Sequence, residues 1–117
     1  MPTTVLVVDD HPSFRAVARA LLELEGYDVI GEAATVADAV LAADELRPDV
    51  LLVDVGLPDS DGFALTERVL ARPEPPTVVL TSNRARENYG PRIDASGAAG
   101  FVPKDQLSGP VLRELLA

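Results

Sequence analysis

Several polar side chains in this sequence directly follow short apolar segments. They are two carboxylates after the first segment, one after the third, a hydroxyl after the fourth and an ammonium group after the fifth: Asp9, Asp10, Asp54, Thr81 and Lys104. If the segments are parallel strands, these groups converge, because ligands of such sheets bind beyond the carboxyl ends of the strands. The positions therefore predict one polar site at one edge of a sheet.

The types of these residues indicate phosphoryl chemistry with a hard cation. Neighbouring carboxylates repel one another strongly unless a cation lies among them or they keep their protons. Oxygen ligands and the absence of cysteine favour Mg²⁺ over zinc. A carboxylate such as Asp54 can be the nucleophile that forms an acyl phosphate. Lys104 and Thr81 would then hold the remaining phosphoryl oxygens.

The apolar segments have the composition of buried strands. Val5–Val8, Val50–Val53 and Val78–Leu80 are continuously apolar and rich in β-branched residues, which is typical of central strands in a parallel sheet. Phe101–Val102 is the shortest segment. Residues 27–32 mix polar with apolar side chains, which predicts an edge strand.

Helices are predicted between the strands. Apolar residues recur at helical spacing over residues 14–22, and Gly26 is expected to end that helix. The predicted N-caps of three further helices are Thr35, Ser60 or Asp61, and Ser108. The fourth helix is expected to be short, broken or mobile, because Gly90 and Pro91 interrupt residues 84–96.

Five strands alternating with five helices predict one α/β domain over residues 1–117. The connections are short, which forces parallel strands and right-handed crossovers. The expected fold is a doubly wound (βα)5 three-layer sandwich of flavodoxin-like type. An edge-like second strand beside a buried first strand favours the sheet order 2-1-3-4-5.

The composition argues against several functions. A formal charge of −9 opposes direct nucleic-acid binding, which requires clustered Lys and Arg facing the phosphates. No apolar run approaches the length of a membrane span, and the N-terminus lacks the features of a signal peptide. A cytoplasmic location without membrane contact is therefore expected. The absence of cysteine excludes disulfides and thiol nucleophiles.

Four motifs resemble those of response-regulator receiver domains, and the resemblance covers essentially the whole chain. In chain order they are VLVVDD at 5–10, LLVDVGLPDSDG at 51–62, VVLTS at 78–82 and GFVPK at 100–104. The sequence GEAATVADAV and the ending Lys104-Asp105 are similar to receivers of LuxR-type regulators.

This resemblance implies a role for each site residue. Asp54 would be the phosphoacceptor, and Mg²⁺ would be held by Asp10, Asp54 and the backbone carbonyl of Gly56. Asp9 would be a ligand through water. The phosphoryl contacts would come from Lys104 and a hydroxyl.

The same resemblance implies a switch and a set of partners. Thr81, which supplies that hydroxyl, and Phe101 would change the surface of the fourth helix, fifth strand and fifth helix. A histidine kinase or phosphotransfer protein would supply the phosphoryl group. The surface would act on an output domain or partner protein, or form a homodimer. Such a module is no enzyme beyond catalysing its own phosphorylation and dephosphorylation.

The same residues also leave three other functions to consider. They are an FMN-binding flavodoxin-like protein, an aspartyl-phosphate hydrolase of the haloacid dehalogenase kind, and a receiver-like binding module that is never phosphorylated. Asp-Asp-His-Pro after the first strand suits no phosphate cradle of the flavodoxin kind. A hydrolase of the haloacid dehalogenase kind would carry its nucleophile after the first strand, whereas the candidate here follows the third. A binding module that is never phosphorylated would not need the intact set of acidic residues.

Two local features are assigned ordinary structural roles. His11 is expected to be a solvated loop residue, although a ligand or base role is considered, and Phe101 could equally be plain core. The bond between Lys104 and Asp105 is predicted to be trans, because a cis bond without proline costs about 2.5–4 kcal/mol.

Overall fold

The computed structural model describes residues 2–116, which form five strands alternating with helices. The strands are β1 (Thr4–Val8), β2 (Asp28–Ala33), β3 (Val50–Asp54), β4 (Thr77–Ser82) and β5 (Gly100–Pro103). The helices are α1 (Pro12–Leu24), α2 (Val36–Leu46), α3 (Gly62–Leu70), α4 (Arg92–Ala95) and α5 (Gly109–Leu115). Short 3₁₀ turns cover Arg86–Asn88 and Lys104–Gln106.

The strands form one parallel sheet in the order β2-β1-β3-β4-β5, as predicted. β1 and β3, whose sequences are continuously apolar, lie inside the sheet and are almost wholly buried. β2 lies at an edge, as its mixed composition predicts. The doubly wound α/β class is confirmed.

Each face of the sheet carries its own apolar core, because successive strand residues point to opposite faces. On one face α1 and α5 cover the strands, with Ala18, Leu22 and Leu112 packed against Val5, Val7, Val29, Val50, Leu52, Val79 and Val102. On the other face α2, α3 and α4 pack through residues such as Ala39, Ala43, Leu65, Val69 and Ile93 against Leu6, Val8, Leu51, Val53, Val78 and Leu80. The molecule is therefore a three-layer sandwich.

Side-chain caps start three of the helices at predicted residues. In each case a side-chain oxygen accepts a hydrogen bond from the amide three residues later. The caps are Thr35, Asp61 and Ser108. Helix α1 ends two residues before Gly26, which has the left-handed φ of 88° expected of a helix terminator. Within residues 2–116, no helix is both long and apolar enough to cross a bilayer.

The segment between β4 and β5 is broken, as the sequence predicts. It contains the 3₁₀ turn Arg86–Asn88 and then the four residues of α4. Gly90, with a φ of 56°, separates the two. The backbone of this segment therefore forms fewer helical hydrogen bonds than a continuous helix of the same length would.

Strands β3 and β4 run past the carboxyl ends of their apolar segments. β3 continues to Asp54 and β4 continues through Thr81 to Ser82, so Asp54 and Thr81 belong to the sheet itself. The two residues lie opposite each other in the register of β3 and β4. The sheet therefore fixes the backbone of both side chains.

Both edge strands depart from a regular ladder. The register between β1 and β2 shifts after Val5, because Val5 pairs with Val29 whereas Leu6 pairs with Gly31. At the other edge, β5 has only four residues and ends at Pro103, which has no amide hydrogen to donate.

Candidate functional site

The predicted site residues converge at the carboxyl end of the sheet. Asp9 directly follows β1, Asp54 ends β3, Thr81 lies in β4, and Lys104 follows β5. The convergence arises because all four strands are parallel and reach the same edge. Asp10 lies beside Asp9 in the loop that leads into α1.

Lys104 joins the acidic residues of β1 and β3. Its Nζ lies 2.6 Å from Asp9 Oδ2 and donates a hydrogen bond of 3.3 Å to Asp54 Oδ2. The Asp9 contact is an ion pair whose angle does not suit a hydrogen bond. Only 9% of the Lys104 side chain is exposed, and its Nζ lies 4.6 Å from the centre of the Phe14 ring. The ammonium group is therefore held by charge on one side and an aromatic face on the other.

Lys104 reaches the site without a cis bond. All peptide bonds among residues 2–116 are trans. The predicted trans linkage between Lys104 and Asp105 is therefore confirmed, and a 3₁₀ turn begins at Lys104.

Asp54 is almost fully buried and lies in an electrostatically unfavourable position for a carboxylate. Burial, followed by the negative charge of Asp9, raises its pKa above the ordinary value. Lys104 and the amide of Gly56, which donates a hydrogen bond of 3.2 Å to Oδ1, oppose this rise without cancelling it. Any further positive charge next to Asp54 would therefore stabilise the ionised form of its side chain.

Thr81 is buried, and its hydroxyl is weakly committed. Its Oγ1 donates to the carbonyl of Val53 at 3.5 Å, the outer limit of a hydrogen bond. Withdrawing the hydroxyl from this partner would cost little free energy. The Thr81 side chain can therefore turn to a new acceptor above Asp54.

The loop between β1 and α1 is held by side chains on both sides. The amide of His11 donates to Asp9 Oδ1 at 2.8 Å. The Arg15 guanidinium donates to the Asp9 carbonyl at 2.6 Å and to Glu32 at 2.9 Å. These contacts fix the direction in which the acidic pair of Asp9 and Asp10 faces.

The expectation that His11 is a solvated loop residue is only partly met. Its side chain is 56% exposed, yet Nδ1 lies 3.0 Å from Asp9 Oδ1 and 3.1 Å from Asp10 Oδ1. The ring therefore belongs to the acidic cluster. Helix start geometry explains the difference, because Pro12 begins α1 and leaves His11 as the N-cap residue, directly above the two carboxylates.

The acidic cluster fits a divalent cation. Ligand atoms of Asp9, Asp10, His11 and Asp54 lie within 4.8 Å of one another. Asp10 Oδ1 is shielded from solvent and accepts no hydrogen bond from any residue between 2 and 116. A shielded carboxylate oxygen without a donor is costly, and a hard cation satisfies such an oxygen. The carboxylates alone form an all-oxygen set of the kind that Mg²⁺ prefers.

The loop after β3 contains two glycines with different surroundings. A Cβ at Gly56 would meet nothing within 4 Å, whereas a Cβ at Gly62 would lie 2.6 Å from the carbonyl oxygen of Asp54. Gly62 therefore allows α3 to start against the end of β3. Gly56 leaves open space beside Asp54.

Asp59, in the same loop, binds the start of α2. Its carboxylate accepts hydrogen bonds from the amides of Val36 at 2.8 Å and Ala37 at 3.1 Å. These two bonds lower the pKa of Asp59. The structure thus identifies α2, whose first residue lies 23 positions earlier, as the element that Asp59 caps.

A shallow depression of about 360 Å³ opens next to Lys104. Its lining consists of His11, Ser13, Phe14, Asn83, Lys104 and Asp105. It lies at the carboxyl end of the sheet, beside the acidic cluster. A larger depression of about 690 Å³ lies near the start of β3 and β4 and contains none of the predicted site residues.

An aromatic cluster lies next to Ser82, at the end of β4. The rings of Phe63 and Tyr89 are 5.7 Å apart, and those of Tyr89 and Phe101 are 5.8 Å apart, each pair edge to face. The hydroxyls of Tyr89 and Ser82 are hydrogen-bonded. Phe101 is only 9% exposed, so its ring is already buried in this structure.

A model of the response regulator receiver domain family matches residues 5–116. The chain belongs to this family. The match favours a receiver domain over the flavin-binding and phosphohydrolase alternatives considered above.

Sequence relatives of this receiver domain include transcription regulators. It is 41% identical over 108 residues to the DNA-binding transcriptional activator DevR/DosR of Mycobacterium tuberculosis. It is 37% identical over 101 residues to the response regulator GacA of Pseudomonas aeruginosa. Each match covers 86% of this chain and 47% of the relative. The chain thus spans about half the length of these relatives.

Solved receiver structures share the whole fold. The signal receiver domain of NarL from Mycobacterium tuberculosis has a TM-score of 0.88 at 32% identity, over 98% of this chain and 94% of that one. A LuxR-family two-component response regulator from Aurantimonas sp. SI85-9A1 has a TM-score of 0.85 at 25% identity, over 99% of this chain and 86% of that one. The predicted similarity to LuxR-type receivers is confirmed.

Three side chains at or near the site of this receiver domain escape the sequence argument. Arg15 fixes the carbonyl of Asp9, Tyr89 links the aromatic cluster to β4, and His11 faces the acidic pair. A signal exists for Arg15, since a basic residue one turn into a helix can reach back to the preceding loop. No periodicity or spacing indicates where Tyr89 points, because it lies in the irregular stretch between the 3₁₀ turn and α4.

Proposed function

We propose that this domain accepts a phosphoryl group on Asp54 in an Mg²⁺-dependent reaction and thereby switches an output surface. The observation that carries the proposal is the contact of one buried ammonium group, Lys104 Nζ, with both Asp9 and Asp54. Phosphoryl transfer depends mainly on positioning and charge neutralisation. Lys104 supplies both next to Asp54, the buried carboxylate that ends the central strand β3.

In the proposed step, an Asp54 oxygen forms a bond to phosphorus while the bond from phosphorus to the donor breaks. The electrons of that bond leave with the donor group. Lys104 donates to one phosphoryl oxygen and the hydroxyl of Thr81 turns to another. Asp10, Asp54 and the carbonyl of Gly56, with Asp9 acting through water, would hold Mg²⁺, which when bound would neutralise phosphoryl charge.

The switch would start from Thr81. Its hydroxyl leaves the weak contact with Val53 and approaches the phosphoryl group, which frees space behind β4. Phe101 would respond, although its present burial leaves little apolar area to gain. Tyr89 and Ser82 couple the same strand to the segment before α4, which supports a change at the face formed by α4, β5 and α5.

The partners follow from this chemistry. A histidine kinase or phosphotransfer protein would supply the phosphoryl group. The recipient of the signal would be an output domain or partner protein, or a second copy bound through the face of α4, β5 and α5. The receiver unit is proposed to span residues 1–117 and to be cytoplasmic. Its net charge of −9 argues against direct binding of nucleic acid.

Asp54→Asn tests the assignment of the phosphoacceptor. Incubated with acetyl phosphate and Mg²⁺, the wild-type chain should gain about 80 Da in its intact mass, the addition of one phosphoryl group. The variant should gain nothing while keeping its circular dichroism. Asp44→Asn, at the opposite end of the sheet where Asp44 pairs with Arg72, is the matched control and should gain the same mass as wild type. An adduct that persists in Asp54→Asn would contradict the proposal.

Removing the metal tests the second half of the proposal. Chelation of Mg²⁺, or the change Asp10→Ala, should slow adduct formation by several orders of magnitude. A rate that is independent of Mg²⁺ would leave Lys104 as the sole cation at the site and overturn the metal assignment.

A further inference from the structure

We propose that His11 is a nitrogen ligand of the cation site, so that the site binds Zn²⁺ or Co²⁺ as well as Mg²⁺. The inference deepens the proposed function, since it rests on a cation bound among Asp9, Asp10 and Asp54. It concerns which ions bind there, and it does not depend on phosphoryl transfer.

The imidazole lies between two carboxylates, and only one of these two contacts is a hydrogen bond. Asp9 Oδ1 accepts the amide of His11 at 2.8 Å and also lies within hydrogen-bond distance of ring Nδ1, at 3.0 Å. Asp10 Oδ1 lies 3.1 Å from Nδ1 but accepts no hydrogen bond from residues 2–116, although it is shielded from solvent. The hydrogen bond to Asp9 thus leaves the Asp10 oxygen unsatisfied, and a cation bound by this oxygen together with Nδ1 would satisfy it.

The distances agree with this reading. Ligands about 2.1 Å from a metal and at right angles to each other are about 3.0 Å apart. Nδ1 lies 3.1 Å from the Asp10 oxygen, close to this spacing. Together with Asp9 and Asp54, these two residues place their ligand atoms within 4.8 Å of one another.

The donor types determine which ions gain from His11. Imidazole suits zinc, copper, iron and nickel, whereas Mg²⁺ takes oxygen ligands and keeps several waters. A site of carboxylates with one imidazole therefore binds first-row transition ions more tightly than a site of carboxylates alone. His11 is more than half exposed, so its ring can turn toward or away from the ion without repacking the core.

The sequence offers an unambiguous probe, because His11 is its only histidine. In the ¹⁵N-labelled full chain, Zn²⁺ should shift the Nδ1 resonance of His11, whereas Mg²⁺ at saturation should leave that nitrogen close to its metal-free position. Calorimetry should show that His11→Asn weakens Zn²⁺ and Co²⁺ binding by about tenfold or more. Loss of a residue that only hydrogen-bonds to a metal ligand already lowers metal affinity by about that factor. Mg²⁺ affinity should change far less.

Asp10→Asn is the companion variant, because loss of a shared carboxylate should weaken Mg²⁺ and Zn²⁺ alike. An unshifted Nδ1 at saturating Zn²⁺, or an unchanged ratio of Zn²⁺ to Mg²⁺ affinity in His11→Asn, would overturn the role of His11. Either result would leave Mg²⁺-dependent phosphorylation of Asp54 intact. Failure of the wild-type chain to bind any of these ions would overturn this inference and the proposed metal site together.

Discussion

Lys104 has two tasks at the scale of single residues. Without a bound cation it balances the charges of Asp9 and Asp54, which burial would otherwise make very unfavourable. In the phosphorylated state it would have to leave part of that pairing to contact a phosphoryl oxygen. The cation-π contact with Phe14 keeps the ammonium group near the site during such a change. Arginine would not replace Lys104 well, because its planar guanidinium group cannot occupy a single point between two carboxylates.

Gly56 should control how long the phosphorylated form survives. Its missing side chain leaves open space beside Asp54, so water can reach an acyl phosphate there. Gly56→Leu should therefore lengthen the phosphorylated half-life severalfold, because the new side chain has room and covers Asp54. The decay of the intact-mass adduct after removal of the donor measures this half-life.

Ser60→Leu is a suitable control for that experiment, since it adds the same side chain at an exposed position further along the loop. It should decay like wild type. A Gly56→Leu adduct that decays as fast as wild type would show that water attacks from another side.

At the site, sequence reasoning succeeds where the position depends on the ends of strands. Asp54, Thr81 and Lys104 could be predicted because parallel strands bring their carboxyl ends together. The contacts of His11 could not, because they depend on the direction of one loop side chain. The orientation of that ring follows from where α1 begins, which is set by Pro12 and by packing along the whole helix.

Among the elements, the segment from the 3₁₀ turn through α4 depends on Tyr89. The Tyr89 hydroxyl is bonded to Ser82 of β4, while its ring lies between Phe63 and Phe101. Tyr89→Phe keeps the ring and removes the bond, so it should lower the free energy of unfolding by about 1 kcal/mol. Amide exchange over residues 86–95 should quicken more than elsewhere.

Tyr27→Phe is the matched control, because the Tyr27 ring packs on the opposite face of the sheet. It should leave exchange over residues 86–95 unchanged. Equal exchange rates in wild type and Tyr89→Phe would mean that ring packing alone holds the segment.

Helix α1 is tied to edge strand β2 by a pH-dependent ion pair. Burial tends to raise the pKa of Glu32, but hydrogen bonds from Arg19 and Arg15 outweigh it and lower the pKa below its ordinary value of 4.5. A lowered carboxyl pKa contributes stability above the unfolded value, and the contribution is lost as the pH falls through the folded value. Glu32→Gln should therefore unfold more easily at pH 7, by about 0.5–1 kcal/mol.

Urea unfolding from pH 7 to pH 3 measures this contribution. The difference between Glu32→Gln and wild type should shrink once the pH drops below 4.5 and approach zero at the acid end. Glu23→Gln, at an exposed position of α1, is the control and should show no such trend. A difference that stays constant over the whole range would exclude ionisation of Glu32 as its source.

Element types were predictable from local pattern, but boundaries were not. The caps Thr35 and Ser108 follow from their residue types and the apolar periodicity that comes after them. The extension of β4 to Ser82 depends on pairing with β5, and the capping of α2 by Asp59 depends on a contact between distant loops. Such tertiary contacts leave no trace in residue spacing along one segment.

For the molecule as a whole, stability depends on filling both faces of one sheet. Leu22 is fully buried and Leu24 is 83% exposed, although both lie in the last turn of α1. Leu22→Ala should lower the free energy of unfolding by about 2–5 kcal/mol, because it leaves a cavity beneath the helix. Leu24→Ala should change it by less than about 0.5 kcal/mol. Denaturant unfolding of both variants measures the contrast, and similar losses would mean that Leu24 is covered in solution.

The irregular edges of the sheet have a consequence for behaviour at high concentration. An open sheet can recruit a strand from another molecule along an unpaired, flat edge, and this is a common route to aggregation. Here the register shift bends β2 next to Gly31, and Asp28 and Glu32 place charge along it. At the opposite edge, β5 offers few amides before Pro103. Together with a strongly negative net charge, these edges should keep the domain dispersed while its helix-covered faces remain free to meet a partner.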